Sequence, residues 1–114
     1  MVKEIITYKK YFLDFYQKQD EKIQRKIEYV LDLIRTEKRV PIKFFKQLEN
    51  TDGIYEVRVI TTFKSIRILC FLDNGDLVVL INSFVKKSQK TPKSEIKKAE
   101  KIKKDYLTEK YGSK

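Results

Sequence analysis

The 114-residue chain has no histidine and no tryptophan, one cysteine, two prolines and three glycines. Without histidine it lacks the side chain that most often moves protons near neutral pH, and the commonest zinc and haem ligand. A single cysteine, Cys70, cannot close an internal disulfide or build a multi-cysteine zinc site. No apolar run approaches the roughly 20 residues of a membrane-crossing helix. The opening stretch MVKEIITYKK has no apolar segment of the kind a secretory signal requires. These absences point to a cytoplasmic protein that works without a metal or other cofactor and does not enter a membrane.

Enough apolar residues are present, 41%, to build a core and to exclude a disordered chain. The length suits a single domain, residues 1–114. Charge is the strongest compositional signal, a formal net +10. It is unevenly spread. Residues 1–85 hold 15 basic and 12 acidic side chains, whereas residues 86–114 hold 11 and 4. A cationic end on a small domain suits a polyanionic partner such as nucleic acid, the ribosome or an acidic protein. A well-solvated lysine-rich surface is the plainer alternative.

Residues 3–7 read as a short strand. Tyr8, Tyr11, Phe12, Phe15 and Tyr16 are spaced as one apolar helix stripe over residues 8–18. Asp20 caps a second helix, whose stripe of Ile23, Ile27, Val30, Leu31 and Ile34 runs to about Glu37. Residues 42–53 read as irregular and end in an Asn50–Gly53 turn. Three strands follow at 54–60, 65–72 and 77–85, rich in β-branched and aromatic residues. Asn74-Gly75 signals a two-residue hairpin between the last two. Thr91 as N-cap and Pro92 at the first helical position open a lysine-rich final helix reaching about Lys110. The order β-α-α-β-β-β-α predicts an α+β fold: an antiparallel meander, helices on one face, and the first strand at a sheet edge.

The hairpin loops set which side chains share a face. A tight Asn74-Gly75 loop pairs Asp73 with Asp76, placing Arg67 opposite Asn82, Leu69 opposite Leu80 and Phe71 opposite Val78. A tight Thr62-Phe63 loop places Arg58 opposite Arg67. Alternation then collects Tyr55, Val57, Val59, Ile66, Ile68, Cys70, Leu77, Val79, Ile81 and Val85 on an apolar face against the helical hairpin. Cys70 reads as plain core. The opposite face collects Glu56, Arg58, Arg67, Asn82, Phe84 and Lys86, next to Lys87. Like charges directly opposite each other in a sheet are unfavourable. Arg58 facing Arg67 therefore implies a counter-charge, either Glu56 and other carboxylates or a bound phosphate. Such a cluster can stabilise the charge of a phosphorane, and crowded cations lower the pKa of a neighbouring lysine. Phe84 on this face can stack on a base or pack beneath the last helix. Ser88, Lys90 and Tyr106 complete the candidate RNA contacts, although docking of the final helix is the favoured role for Tyr106.

The stretches LENTDGIYEVRV (48–59), SIRILCFLDNGDLVVLINSFVKKSQKTP (65–92) and SEIKKAEKIKKDYL (94–107) resemble the RelE/ParE toxin superfamily, most closely its HigB-like, phage-derived host-inhibition branch. The resemblance covers nearly the whole chain, with its specific part in the second half. It implies a metal-independent endoribonuclease that cuts mRNA in the ribosomal A site and arrests translation. It also implies a cognate antitoxin with a helix-turn-helix DNA-binding fold. The family's sheet positions fall on Glu56, Arg58 and Arg67, and its basic strand end on Lys86 and Lys87. Some HigB-like members use histidines, which are absent here, so the general acid is left open. Two other readings stand beside the nuclease: a ParE-like inhibitor that binds DNA gyrase without cutting RNA, and an inactive toxin relic.

Overall fold

The structure, a computed structural model, describes residues 3–112; the ends of the 1–114 range lie outside the described residues. Strand β1 spans Glu4–Thr7, helix α1 Tyr11–Gln17 and helix α2 Glu21–Thr36. Strands β2 (Phe45–Gln47), β3 (Ile54–Ile60), β4 (Ser65–Asp73) and β5 (Leu77–Val85) follow, then helix α3 (Lys93–Tyr111). The strands form one sheet in the order β1-β5-β4-β3-β2. The expected α+β architecture is present, with β1 at an edge, parallel to β5, and the other neighbours antiparallel. No helix among the described residues is long and apolar enough to cross a membrane.

Local chemistry explains most boundaries. Lys9 has a positive φ of 54°, which breaks the chain between β1 and α1, so α1 starts later than the aromatic stripe suggests. Asp20 accepts a hydrogen bond from the Ile23 backbone at 2.9 Å, capping α2 as expected. Residues 45–47 form a short edge strand where irregular chain was expected; three residues carry too little alternation to be read as a strand.

The helices occupy both faces of the sheet rather than one. Val57, Val59, Ile66, Ile68, Cys70, Val78 and Leu80 pack against the α1–α2 hairpin. Ile54, Leu69, Phe71, Val79 and Ile81 pack against Ala99, Ile102 and Tyr106 of α3. Each large apolar side chain buried in these two layers contributes about 1.5–3 kcal/mol.

The β3–β4 register is the expected one, with Arg58 opposite Arg67 and Glu56 opposite Leu69. The β4–β5 register differs. Asp73 pairs with Leu77 across a three-residue loop, so Cys70 meets Leu80 and Phe71 meets Val79. Val79, Ile81 and Leu77 therefore belong to the α3 side, not to the hairpin side. An irregularity between Ile68 and Cys70 then shifts the pairing once more, and Arg67 lies opposite Phe84 instead of Asn82. The two shifts restore the alternation, so Phe84 still shares the face of Arg67. Both sides of β5 are apolar, so its pattern could not choose between registers one residue apart.

The end of α3 is tied to the sheet through Asp73. This nearly buried carboxylate accepts hydrogen bonds from Tyr106 (2.9 Å), Lys110 (2.7 Å) and Tyr111 (2.8 Å). Burial opposes ionisation of Asp73, but the bonds from Lys110, Tyr111 and Tyr106 outweigh it and hold its carboxyl below the ordinary 3.8. An acid with a depressed folded-state pKa contributes stability that is complete above the unfolded value and lost as pH falls through the folded one. Acid should therefore weaken the fold below about pH 3.8. Asp73→Asn should remove that part of the acid sensitivity and lower stability at neutral pH by roughly 1–3 kcal/mol. Thermal unfolding followed from about pH 2 to 7 in both proteins checks this; parallel curves would refute it.

Candidate functional site

The site begins with a fully buried carboxylate. Glu56, 1% exposed, sits mid-strand on β3 facing the α3 side. An isolated charge there would cost several kcal/mol, so it must be paired. Arg58 Nε lies 2.9 Å from Glu56 Oε2, and Arg67 Nε lies 3.5 Å from the same oxygen. The Thr91 hydroxyl donates to Glu56 Oε1. One carboxylate thus gathers two arginines from adjacent strands and ties down the segment leading into α3.

The two guanidinium groups lie on one side of the sheet, as the β3–β4 pairing requires, but they are unequally exposed. The Arg67 side chain is 7% exposed and that of Arg58 22%. Arg67 Nη1 donates to Ser65 Oγ at 3.1 Å and to the Ile66 carbonyl at 3.2 Å, whereas its Nε has no hydrogen-bond partner. Burial lowers the Arg67 pKa, with Glu56 acting against that and Arg58 adding to it. An arginine remains charged through such a shift. Two positive charges therefore share one negative charge, which leaves a net positive floor.

Lys86 stands over this floor where β5 ends. Its backbone N–H donates to the Ser65 carbonyl at 2.7 Å, continuing the β4–β5 pairing one residue beyond the strand. Burial first, then the charge of Arg67, pushes the Lys86 ammonium below its ordinary 10.5; Glu56 opposes this, while Arg58 and Lys46 add to it. Lys86 borders two adjoining clefts. One, about 410 Å³, also exposes Ser65, Arg67, Lys87 and Ser88. The other, about 380 Å³, exposes Lys46, Arg58, Lys90 and Thr91. A larger depression of about 1230 Å³ lies along α3, but there Asp52, Glu100 and Asp105 mix with the lysines and cancel much of their field.

The structure brings Glu56, Arg58, Arg67, Lys86 and Lys87 together, with Ser88 and Lys90 at the rim. It does not bring Asn82 or Tyr106 to the clefts as RNA contacts. Asn82 is 3% exposed, and its amide donates to the Glu95 carbonyl and carboxylate at 3.0 and 2.9 Å. Tyr106 is 7% exposed and donates to Asp73. Phe84 packs against the core beneath α3, the second of the roles open to it. Thr91 is not the helix cap; Pro92 takes that position, and the Thr91 hydroxyl is used on Glu56 instead. Sequence reasoning missed Thr91 and Lys46 as site residues. Lys46 pairs with Glu56 across β2 and β3, a neighbour that only the short edge strand creates.

Fold and site together define a small α+β protein whose sheet carries a buried Glu–Arg–Arg cluster under a lysine-rimmed cleft. The chain belongs to the family described as "Phage derived protein Gp49-like (DUF891)", whose model matches residues 14–104. That family is associated with RelE-like toxins of toxin–antitoxin systems. No curated protein matches the sequence.

Proposed function

We propose that this protein is the toxin of a toxin–antitoxin pair, of the HigB-like kind, and that it arrests translation by cutting mRNA on the ribosome. The observation that carries the reading is the Arg58–Arg67 pair, incompletely neutralised by Glu56, with Arg58 part-exposed and Arg67 at the floor of a cleft beside Lys86. Cleavage by the RNA's own 2′-hydroxyl needs three things: removal of that hydroxyl's proton, stabilisation of the negative phosphorane, and a proton for the departing 5′-oxygen. Arg58 and Arg67 suit the second, with Lys87 adding field. Lys86, its pKa lowered, suits a proton transfer. Glu56 is assigned to orienting the arginines, since its oxygens are already engaged by Arg58, Arg67 and Thr91. The products would be a 2′,3′-cyclic phosphate and a 5′-hydroxyl. The ribosome would supply the RNA's alignment, and a helix-turn-helix antitoxin would neutralise the toxin.

Inducible expression followed by mapping of transcript 5′ ends tests this. Growth arrest with new ends inside translated codons is the expected outcome. Intact transcripts with induced DNA damage would instead support gyrase inhibition, and harmless expression would support a relic.

A further inference from the structure

Phe63 is 93% exposed, more than any other large apolar residue among the described residues. It lies in the Thr62-Phe63 loop joining β3 to β4. Nothing in that loop requires an aromatic. Thr61 closes it, with its N–H donating to the Lys64 carbonyl at 2.8 Å and its hydroxyl accepting from the Lys64 N–H at 3.0 Å. Neither Thr62 nor Phe63 has a positive φ. A polar side chain would serve the turn equally well and avoid leaving a ring in water.

The placement of the loop is informative. Strand β3 directs Glu56, Arg58 and Ile60 to one face, while Val57 and Val59 enter the hairpin core. Ile60, 57% exposed, is thus the next residue beyond Arg58 on the cleft side, about 6.6 Å along the strand. Its cross-strand partner, Ser65, borders the cleft with Arg67 and Lys86. A row therefore runs from buried carboxylate to arginines to exposed isoleucine, and the exposed phenylalanine follows in the loop, two positions before Ser65. Cations on two paired strands, with an exposed flat ring in the loop that joins those strands, match a single-stranded nucleic acid, with phosphate on the charges and an unstacked base on the ring.

We propose that Phe63, with Ile60, forms a stacking subsite for an unpaired nucleobase adjoining the phosphate held by Arg58, Arg67 and Lys86. This deepens the RNA-cleaving reading above and rests on it. A protein partner's apolar surface is the competing occupant. The neighbouring cationic cleft favours RNA, because an apolar protein face would have to cover those charges.

The chain has no tryptophan, so Phe63→Trp installs a unique fluorophore at an exposed position. A short single-stranded oligoribonucleotide and its abasic analogue, with the same number of phosphates, are titrated at low salt into the parent, Phe63→Trp, Phe63→Ala and Lys86→Ala proteins. The base-bearing oligomer should quench the introduced indole and the abasic one should not. The parent should prefer the base-bearing oligomer by about tenfold, the scale of one stacked base. Phe63→Ala should bind both alike, and Lys86→Ala should weaken both. If Phe63→Ala keeps the parent's preference, or the parent has none, the stacking subsite is overturned and the patch passes to a protein partner, while the phosphate cleft stands. If the parent binds neither oligomer, the subsite is overturned, and the mapping of transcript 5′ ends decides the RNA reading separately.

Discussion

Glu56→Ala should lower the free energy of unfolding by about 3–5 kcal/mol, the cost of leaving buried charge without its partner. Two arginines face each other across β3 and β4, and Glu56 is the carboxylate paired with both. Removing it leaves the largely buried Arg67 with no counter-charge and Arg58 repelling it from the next strand. The Thr91 hydroxyl loses its acceptor as well, loosening the entry to α3. The loss is a large fraction of a small domain's typical stability. Arg58→Ala should cost far less, about 1 kcal/mol, because Glu56 keeps Arg67 and Thr91, and Arg58 is partly solvated. Urea unfolding of the three proteins measures the difference. A Glu56→Ala loss below about 1 kcal/mol would mean that water already screens the cluster. Lost toxicity in a Glu56 variant therefore counts as lost catalysis only where the fold is intact.

Replacing Lys86 by arginine separates charge from proton transfer. In the proposed nuclease the positive charge over the floor survives in Lys86→Arg, but a guanidinium does not give up its proton. Burial and Arg67 lower the Lys86 pKa, so its neutral amine becomes available at lower pH than for a free lysine. If that amine takes the 2′-hydroxyl proton, cleavage by the parent rises with pH until the lowered pKa and then levels. Lys86→Arg should cut at least about 100-fold more slowly and lose that rise, as general acid–base catalysis typically contributes on this scale. Lys86→Ala should be no faster, and both Lys86→Ala and Arg67→Ala should relieve growth arrest with the fold retained. A Lys86→Arg protein within a few-fold of the parent, with its pH profile intact, would leave Lys86 an electrostatic role only and move proton transfer to another group.

The pairing at the centre of the candidate site is legible in the sequence. The tight Thr62-Phe63 loop determined that Arg58 faces Arg67, because a two-residue hairpin leaves no freedom in the pairing that follows. Strand alternation then placed Glu56 beside both arginines. The β4–β5 pairing was not legible, because β5 is apolar on both sides and a one-residue slip leaves its pattern equally satisfied. Asn82 as an RNA contact fails for a related reason, whereas Tyr106 takes the helix-docking role favoured for it. An amide on a strand and a tyrosine on a lysine-rich helix suit an RNA surface as well as a buried contact, and only packing of α3 onto the sheet separates the two. Thr91 was read from its neighbour Pro92 as a helix cap, which takes no account of a carboxylate 35 positions earlier in the chain.

Local sequence determined every element but β2, the Arg58–Arg67 pairing and the excess positive charge of residues 86–114, since each depends on period, loop length or composition within a short window. Tertiary structure decided that α3 covers the second face, that Lys46 and Thr91 join Glu56, and that Arg67 lies deep while Lys86 stays accessible. Those outcomes depend on which distant segments exclude water from one another, and the two apolar sides of β5 become a sandwich only when helices pack against both.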